Sequence, residues 1–289
     1  MPPSNPRKHS RKLNLLPGGA PPASSRPKDI KVDGIKGRAR ESSHDRLLAV
    51  LDLFSLERPT WTADEIGSKL NLTKTTLYRY LRTLGTSGLV SAAGGGGYVL
   101  GPRIIELDRQ IRLSDPMLRI AVPVMQQTIE KFEGLLLLCT YYRDKVMTIH
   151  HEASDHSFSF SMQRGQPFPL FRGSPSKAVL ANLPPYQLRA FMLHEARHIR
   201  AAGLGEDWPE FRDKMRAIRN AGICVAYGEL DPGLIGISAP IFRSPGDVAG
   251  SITVALAKKK FRESNLPKLI DLAKQAAARI SESIASVHS

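Results

Sequence analysis

The chain has little cysteine, no long apolar run, and one forty-residue stretch without a carboxylate. Its only cysteines, Cys139 and Cys224, each lie inside an apolar strand-like run, with no metal-ligand spacing between them. That excludes a disulfide framework and points to a reducing cytosol. Leu135–Leu138 is apolar but far too short to span a bilayer. The N-terminus lacks the apolar core of a signal peptide, so the chain is expected to be cytoplasmic. No Gly-rich phosphate loop and no Ser–His–Asp arrangement can be defended. From Ile66 to Ile105 there is no Asp or Glu, while Lys69, Lys74, Arg79, Arg82 and Arg103 fall in the same stretch. A carboxylate-free surface that mixes cations with Thr and Tyr favours a polyanion partner.

A length of 289 residues accommodates two ordinary domains. The net charge of +14 is spread along the chain, with 10 cations against 4 acids in residues 1–45, 9 against 7 in 46–115, and 22 against 16 in 116–289. The overall charge is therefore weaker evidence for a polyanion than the local acid-free run.

That run, with the residues just before it, reads as helix, turn, helix and hairpin. Thr62 followed by Glu65 predicts a capping box, and Ile66 and Leu70 form the buried stripe of the first helix. Gly67 permits close approach of a second helix, and Asn71 tolerates the left-handed turn conformation. Thr73 caps a second helix to about Leu84, with Leu77, Leu81 and Leu84 inward. Thr73, Lys74, Thr75, Thr76, Tyr78, Arg79 and Arg82 are the candidate DNA-binding residues. Hydroxyls and cations near a helix N-terminus suit phosphate and base-edge contacts. Leu89–Ser91 and Tyr98–Leu100 are expected as the strands of a wing, joined by a loop of two alanines and four glycines. This stretch, KTTLYRYLRTLGTSGLV followed by YVLG, resembles the DNA-binding half of IclR-type (isocitrate-lyase-regulator) transcriptional regulators. Gly67 and Asn71 stand where that family usually has Ala and Gly.

Residues 1–42, rich in Pro, Gly, Ser, Lys and Arg, are expected to be a disordered basic tail. Residues 43–101 form the expected winged helix-turn-helix domain, opening with a helix over Asp45–Leu56 capped near Ser43 or His44. Residues 102–115 form a linker helix whose apolar face, Ile104, Ile105, Leu107 and Ile111, should pack. Residues 116–289 follow as a second domain. It begins with a helix over Met117–Phe132 and strands at Leu135–Tyr142, Val146–His151 and Ser157–Gln163. Helices are expected at Ser174–Leu183, Pro185–Arg200 and Trp208–Ala221. Three strands, Ile223–Glu229, Gly236–Phe242 and Ala249–Ala257, precede a closing helix from about Ser264 to Val287. This order implies an α+β domain with an antiparallel sheet. With Gly165–Leu170, Ser174–Ala181, Gly228-Glu229 and Gly236–Ile241, this half resembles the family's effector-binding domain, which is similar to GAF domains. Pro175-Ser176-Lys177 replaces the family's small-Gly-Lys triplet.

A ligand site can also be argued from the residues. The segment Arg172–Ser176 opens a helix, with Pro175 in its first turn, and free N–H groups and hydroxyls there suit carboxylates or phosphates. Small residues Gly236, Ser238 and Thr253 leave room for a ligand, and Glu229 and Asp231 can orient hydroxyls or a water. By the resemblance, Gly173, Ser174, Glu229, Gly236, Ser238 and Thr253 fall where the family's pocket lies. The expected protein is a non-enzymatic regulator that binds operator DNA as a dimer or tetramer and responds to a small organic or aromatic acid, with no cofactor. One motif favours an alternative. His194-Glu195-Ala196-Arg197-His198 is a literal H-E-x-x-H, whose histidines share a helix face and suit a zinc hydrolase. A solvated polar helix face explains it without metal and is the preferred reading. His150-His151-Glu152 reads as a strand end, not a ligand set.

Overall fold

A computed structural model of the chain describes residues 42–154 and 163–287. Apart from Ser42 and Gln163, the expected tail and the expected strand Ser157–Gln163 lie outside the described residues. The chain divides into two compact units, one running to Arg119 and the other continuing from Ile120.

In the first unit, α1 (Ser43–Ala49) starts two residues before the expected Asp45 and is capped by Ser42 in place of Ser43 or His44. Ser42 and Asp45 form a reciprocal capping box, with Asp45 N–H donating to Ser42 Oγ and Ser42 N–H to Asp45 Oδ2. The helix also ends sooner than expected: a 3₁₀ turn, Leu51–Leu53, follows it. Helix α2 (Ala63–Leu70) carries the predicted Thr62–Glu65 box. It closes on Asn71 in the left-handed region, at φ 51°. A Cβ on Gly67 would sit 3.2 Å from Leu77 Cδ2, so α2 and α3 (Lys74–Thr86) approach closely there.

Helix α3 buries Leu77, Tyr80, Leu81 and Leu84 against Val50, Trp61, Ile66 and Val90. Tyr80 occupies the position that the helical period assigns to this stripe, although its hydroxyl reads as polar in sequence. The wing pairs β2 (Val90–Ala92), displaced by one residue from expectation, with β3 (Gly97–Leu100), which begins one residue early and ends as expected. On the far side of β3 lies an unexpected third strand, β1 (Trp61–Thr62). The Arg58 guanidinium stacks 3.5 Å over the Trp61 ring and pairs with Glu65. Helix α4 (Arg103–Ser114) corrects one expectation: none of its residues is buried, and Ile105, Ile111 and Leu113 are 73%, 50% and 61% exposed.

The second unit opens with α5 (Pro116–Ile129), which begins within the first unit. Its sheet is wholly antiparallel, in the order β6-β5-β4-β9-β8-β7. Strand β4 (Leu135–Tyr142) matches its predicted limits. Strands β5 (Lys145–Ala153), β8 (Leu234–Ser244) and β9 (Asp247–Ala257) run longer than predicted, and β7 (Cys224–Tyr227) is shorter. Strand β6 (Pro167–Phe168) was not anticipated.

Leu135, Leu137 and Cys139, alternate residues of β4, share one apolar core with α6 (Ser174–Leu180), α7 (Pro185–Ala201) and α8 (Trp208–Ala221). The Arg189 guanidinium of α7 lies 4.9 Å over Trp208 of α8. Helix α9 (Leu266–Val287) packs along β8 and β9, and its Ser281 hydroxyl accepts from the Phe242 N–H at 3.0 Å.

Candidate functional site

Two groups of residues stand out, one in each unit. On α3, Thr75, Tyr78, Arg79 and Arg82 lie on the face opposite Leu77, Tyr80, Leu81 and Leu84, and all four are exposed. Lys74 is exposed at the edge of that face. Thr73 and Thr76 are committed otherwise. Thr73 Oγ1 accepts from the Thr76 N–H at 3.4 Å and donates to Thr76 Oγ1 at 3.0 Å, capping the helix. No carboxylate occurs between Ile66 and Ile105 to neutralise Lys74, Arg79 or Arg82 locally. The wing tip is backbone, with Gly95 and Gly96 at positive φ and no cation.

The second group lines a pocket of about 360 Å³, its open mouth included. Of the six candidate pocket residues, Gly173, Ser174, Glu229, Gly236 and Thr253 line it. Ser238 does not; it lies behind the wall, fully buried. The sequence reading missed the apolar wall, in which Leu137, Pro175, Leu230 and Leu234 join Asp231 and the glycines. Long-range sheet packing brings these together, so no local spacing announces them.

The pocket's polar groups are tied mainly to one another, which corrects the expectation of free donors and open space. Ser238 Oγ donates to Ser174 Oγ at 2.7 Å and lies 2.7 Å from Thr253 Oγ1. A hydroxyl has one proton, so Thr253 is the donor in the second bond. The chain ends on Ser174, whose own proton no bond within it consumes. A Cβ on Gly236 would lie 2.5 Å from Ser174 Oγ, so the space above that glycine is already filled. The N–H of Gly173 is likewise engaged, donating to Glu229 Oε2 at 2.9 Å. The other carboxylate oxygen, Oε1, accepts from Lys177 Nζ at 2.6 Å. Arg172 holds the Glu229 carbonyl at 2.6 Å, and Asp231 Oδ1 caps the Gly233 N–H at 2.8 Å.

The H-E-x-x-H segment does not form the metal-binding face that its spacing implied. Helix α7 departs from helical geometry at Glu195, with φ −121° and ψ 19°, between the two histidines. The Glu195 carboxylate lies 2.6 Å from His198 Nδ1, as a surface side-chain pair. Among the described residues, no group of three His, Cys, Asp or Glu is placed to hold a metal ion. His150 Nε2 lies 2.9 Å from Glu152 Oε1, and burial, with His150 beside it, lowers the His151 pKa. Burial pushes the Cys139 and Cys224 thiols up to about 12, as inert core thiols require. No described helix is long and apolar enough to cross a membrane.

The chain has relatives in both halves. A profile described as the IclR helix-turn-helix domain matches residues 43–93, and one described as the bacterial transcriptional regulator IclR C-terminal domain matches residues 113–282. The HTH-type transcriptional regulator KipR of Bacillus subtilis is 26% identical over 237 residues, covering 82% of this chain and 94% of the relative. A putative IclR transcriptional regulator from Silicibacter sp. TM1040 superposes with a TM-score of 0.72 at 20% identity, over 84% of this chain and 96% of that one. An IclR homologue from Microbacterium hydrocarbonoxydans, solved in complex with 4-hydroxybenzoate, gives a TM-score of 0.66 at 20% identity, over 85% of this chain and all (100%) of that one.

Proposed function

Because this chain belongs to the IclR family of bacterial transcriptional regulators, we propose that it binds an operator through the outward face of α3 and answers to a small organic or aromatic acid. In this reading residues 43–101 contact DNA, residues 102–115 link, and residues 116–289 sense the effector. The observation that carries it is the face of Thr75, Tyr78, Arg79 and Arg82, exposed over a capped and well-packed support in an acid-free stretch. Lys74 and the helix start add phosphate contacts, and the wing backbone lies along the duplex.

One recognition helix covers only part of a site, so the DNA-bound form is a dimer or tetramer on a near-palindromic operator. The uncovered apolar residues of α4 support pairing with a second copy. The pocket between β8, β9 and the turn 228–233 is the effector seat, with the Ser174 hydroxyl as its neutral donor and Leu137, Leu230 and Leu234 as its apolar wall. The Microbacterium homologue bound to 4-hydroxybenzoate supports an aromatic acid. The irregular turn at Glu195 leaves the zinc-hydrolase alternative without support.

Genomic-fragment selection with purified protein, footprinted across a salt series, tests the proposal. A short protected palindrome that persists at moderate salt is expected. Binding without a preferred site, lost steeply with salt, would reduce the protein to a nonspecific polycation binder.

A further inference from the structure

The pocket's one strongly charged seat is already taken by the protein itself. Lys177 projects from α6 with its side chain 10% exposed, and its ammonium is held by Glu229 Oε1 at 2.6 Å. The second oxygen of the same carboxylate takes the Gly173 N–H at 2.9 Å. An acid entering this pocket needs what Glu229 already has: a cation and a backbone donor for its two oxygens. No cation lines the cavity itself: its charged lining residues are Glu229 and Asp231, and Lys177 stands outside that lining, bonded to Glu229, so an acid reaches it only where Glu229 gives way. The Ser238 and Thr253 hydroxyl protons are committed to their own chain, and only Ser174 retains one.

We infer that Glu229 is the specificity-determining residue of the pocket: a resident carboxylate that an acidic effector must displace from Lys177 and the Gly173 N–H. This rests on the reading of the pocket as an acid-effector site. Glu229 is the partner placed to leave, because its side chain is 30% exposed against 10% for Lys177. It also sits on a short turn between β7 and β8 whose first residue, Gly228, has φ 65°. Exchanging one carboxylate for another is close to neutral in charge and hydrogen bonding. The net gain must then come from the apolar body of the ligand against Leu137, Leu230 and Leu234. The class selected is therefore a monocarboxylate on an apolar, ring-sized body; a bare acid such as acetate gains nothing to offset the exchange.

The displacement also has a structural output. Glu229 is bound by its carbonyl to Arg172 and by its carboxylate to Gly173 and Lys177, while Leu230 packs on Gly173. Releasing the carboxylate loosens the turn 228–233 from the start of α6, giving the effector a conformational readout.

Calorimetric titration of the full chain with benzoate, acetate and the neutral isostere benzamide tests this in wild type, Glu229→Gln and Lys177→Met. Glu229→Gln should bind benzoate about tenfold or more tighter than wild type and acquire measurable acetate binding, with benzamide unchanged. Lys177→Met should lose benzoate selectively. Benzoate that binds wild type but binds Glu229→Gln equally or more weakly would overturn the displacement and leave the pocket reading standing. If no variant binds any of the three, the acid-effector reading fails and takes this inference with it. Should Glu229→Gln not fold, the doubly neutral Glu229→Gln/Lys177→Met protein decides: its benzoate-to-benzamide affinity ratio must fall at least about tenfold below wild type, and an unchanged ratio refutes the exchange.

Discussion

The outward face of α3 and the pocket under the turn 228–233 use polar side chains in opposite ways. On α3, Thr75, Tyr78, Arg79 and Arg82 stand in solvent over a closed apolar layer, and the sequence around them supplies no acid. In the pocket, Ser174, Ser238 and Thr253 bond in series, and Lys177, Glu229 and Gly173 bond to one another. A surface meant for a polyanion can leave its cations hydrated, because water and counterions satisfy them until the partner arrives. A half-buried pocket cannot, since an unpartnered polar group there costs its full desolvation. On the proposed reading, recognition by the first surface is addition, and recognition in the second is exchange.

Four substitutions break or sharpen that contrast. The largest effect is expected from Leu77→Ala, which removes a side chain only 2% exposed from beneath α3. It should destabilise the first unit by about 3 kcal/mol, read by denaturant unfolding, and abolish DNA binding through loss of its support. Gly236→Val forces a Cβ into the space that Ser174 Oγ fills and should destabilise the second unit by about 2 kcal/mol. If its melting temperature were unchanged, the pocket would have more room than the close Ser174 contact allows.

Arg79→Ala should weaken operator binding about tenfold or more while leaving the unfolding free energy within about 0.5 kcal/mol. Wild-type affinity in this variant would remove α3 from the interface. Thr73→Ala gives the smallest effect, a cap loss of about 1 kcal/mol in unfolding. Its loss of DNA affinity should follow that destabilisation. A much larger loss would mean that the Thr73 hydroxyl touches DNA as well as capping the helix.

What the sequence announces and what it hides divide along the same line. The Thr62–Glu65 box, the Asn71 turn and the Leu77–Leu84 stripe are written in neighbouring residues and are found as read. So are β4, a plain apolar run, and α8, which runs from Trp208 to Ala221 as predicted and carries Pro in its first turn. Strand β1 is two residues long and has no period to detect. The apolar face of α4 is visible in its spacing, but periodicity reports that a face is apolar, not that this chain covers it. In α7, the H-E-x-x-H reading assumed a regular helix, and the backbone at Glu195 is not regular. The pocket was legible residue by residue and illegible as a network. Lys177 and Glu229 are 52 positions apart, and Ser174 and Ser238 are 64 apart, so their pairings are products of the sheet.

The chain's two tryptophans fall one to a unit, Trp61 in the first and Trp208 in the second. Each ring lies under a guanidinium, that of Arg58 at 3.5 Å and that of Arg189 at 4.9 Å. The molecule thus carries two indole emitters, one in the helix-turn-helix unit and one at the start of α8 in the second unit. Replacing either with Phe leaves a single-channel reporter in which quenching and emission shift follow one unit alone. Operator and effector titrations can then be watched separately, without a label, in the same full-length protein.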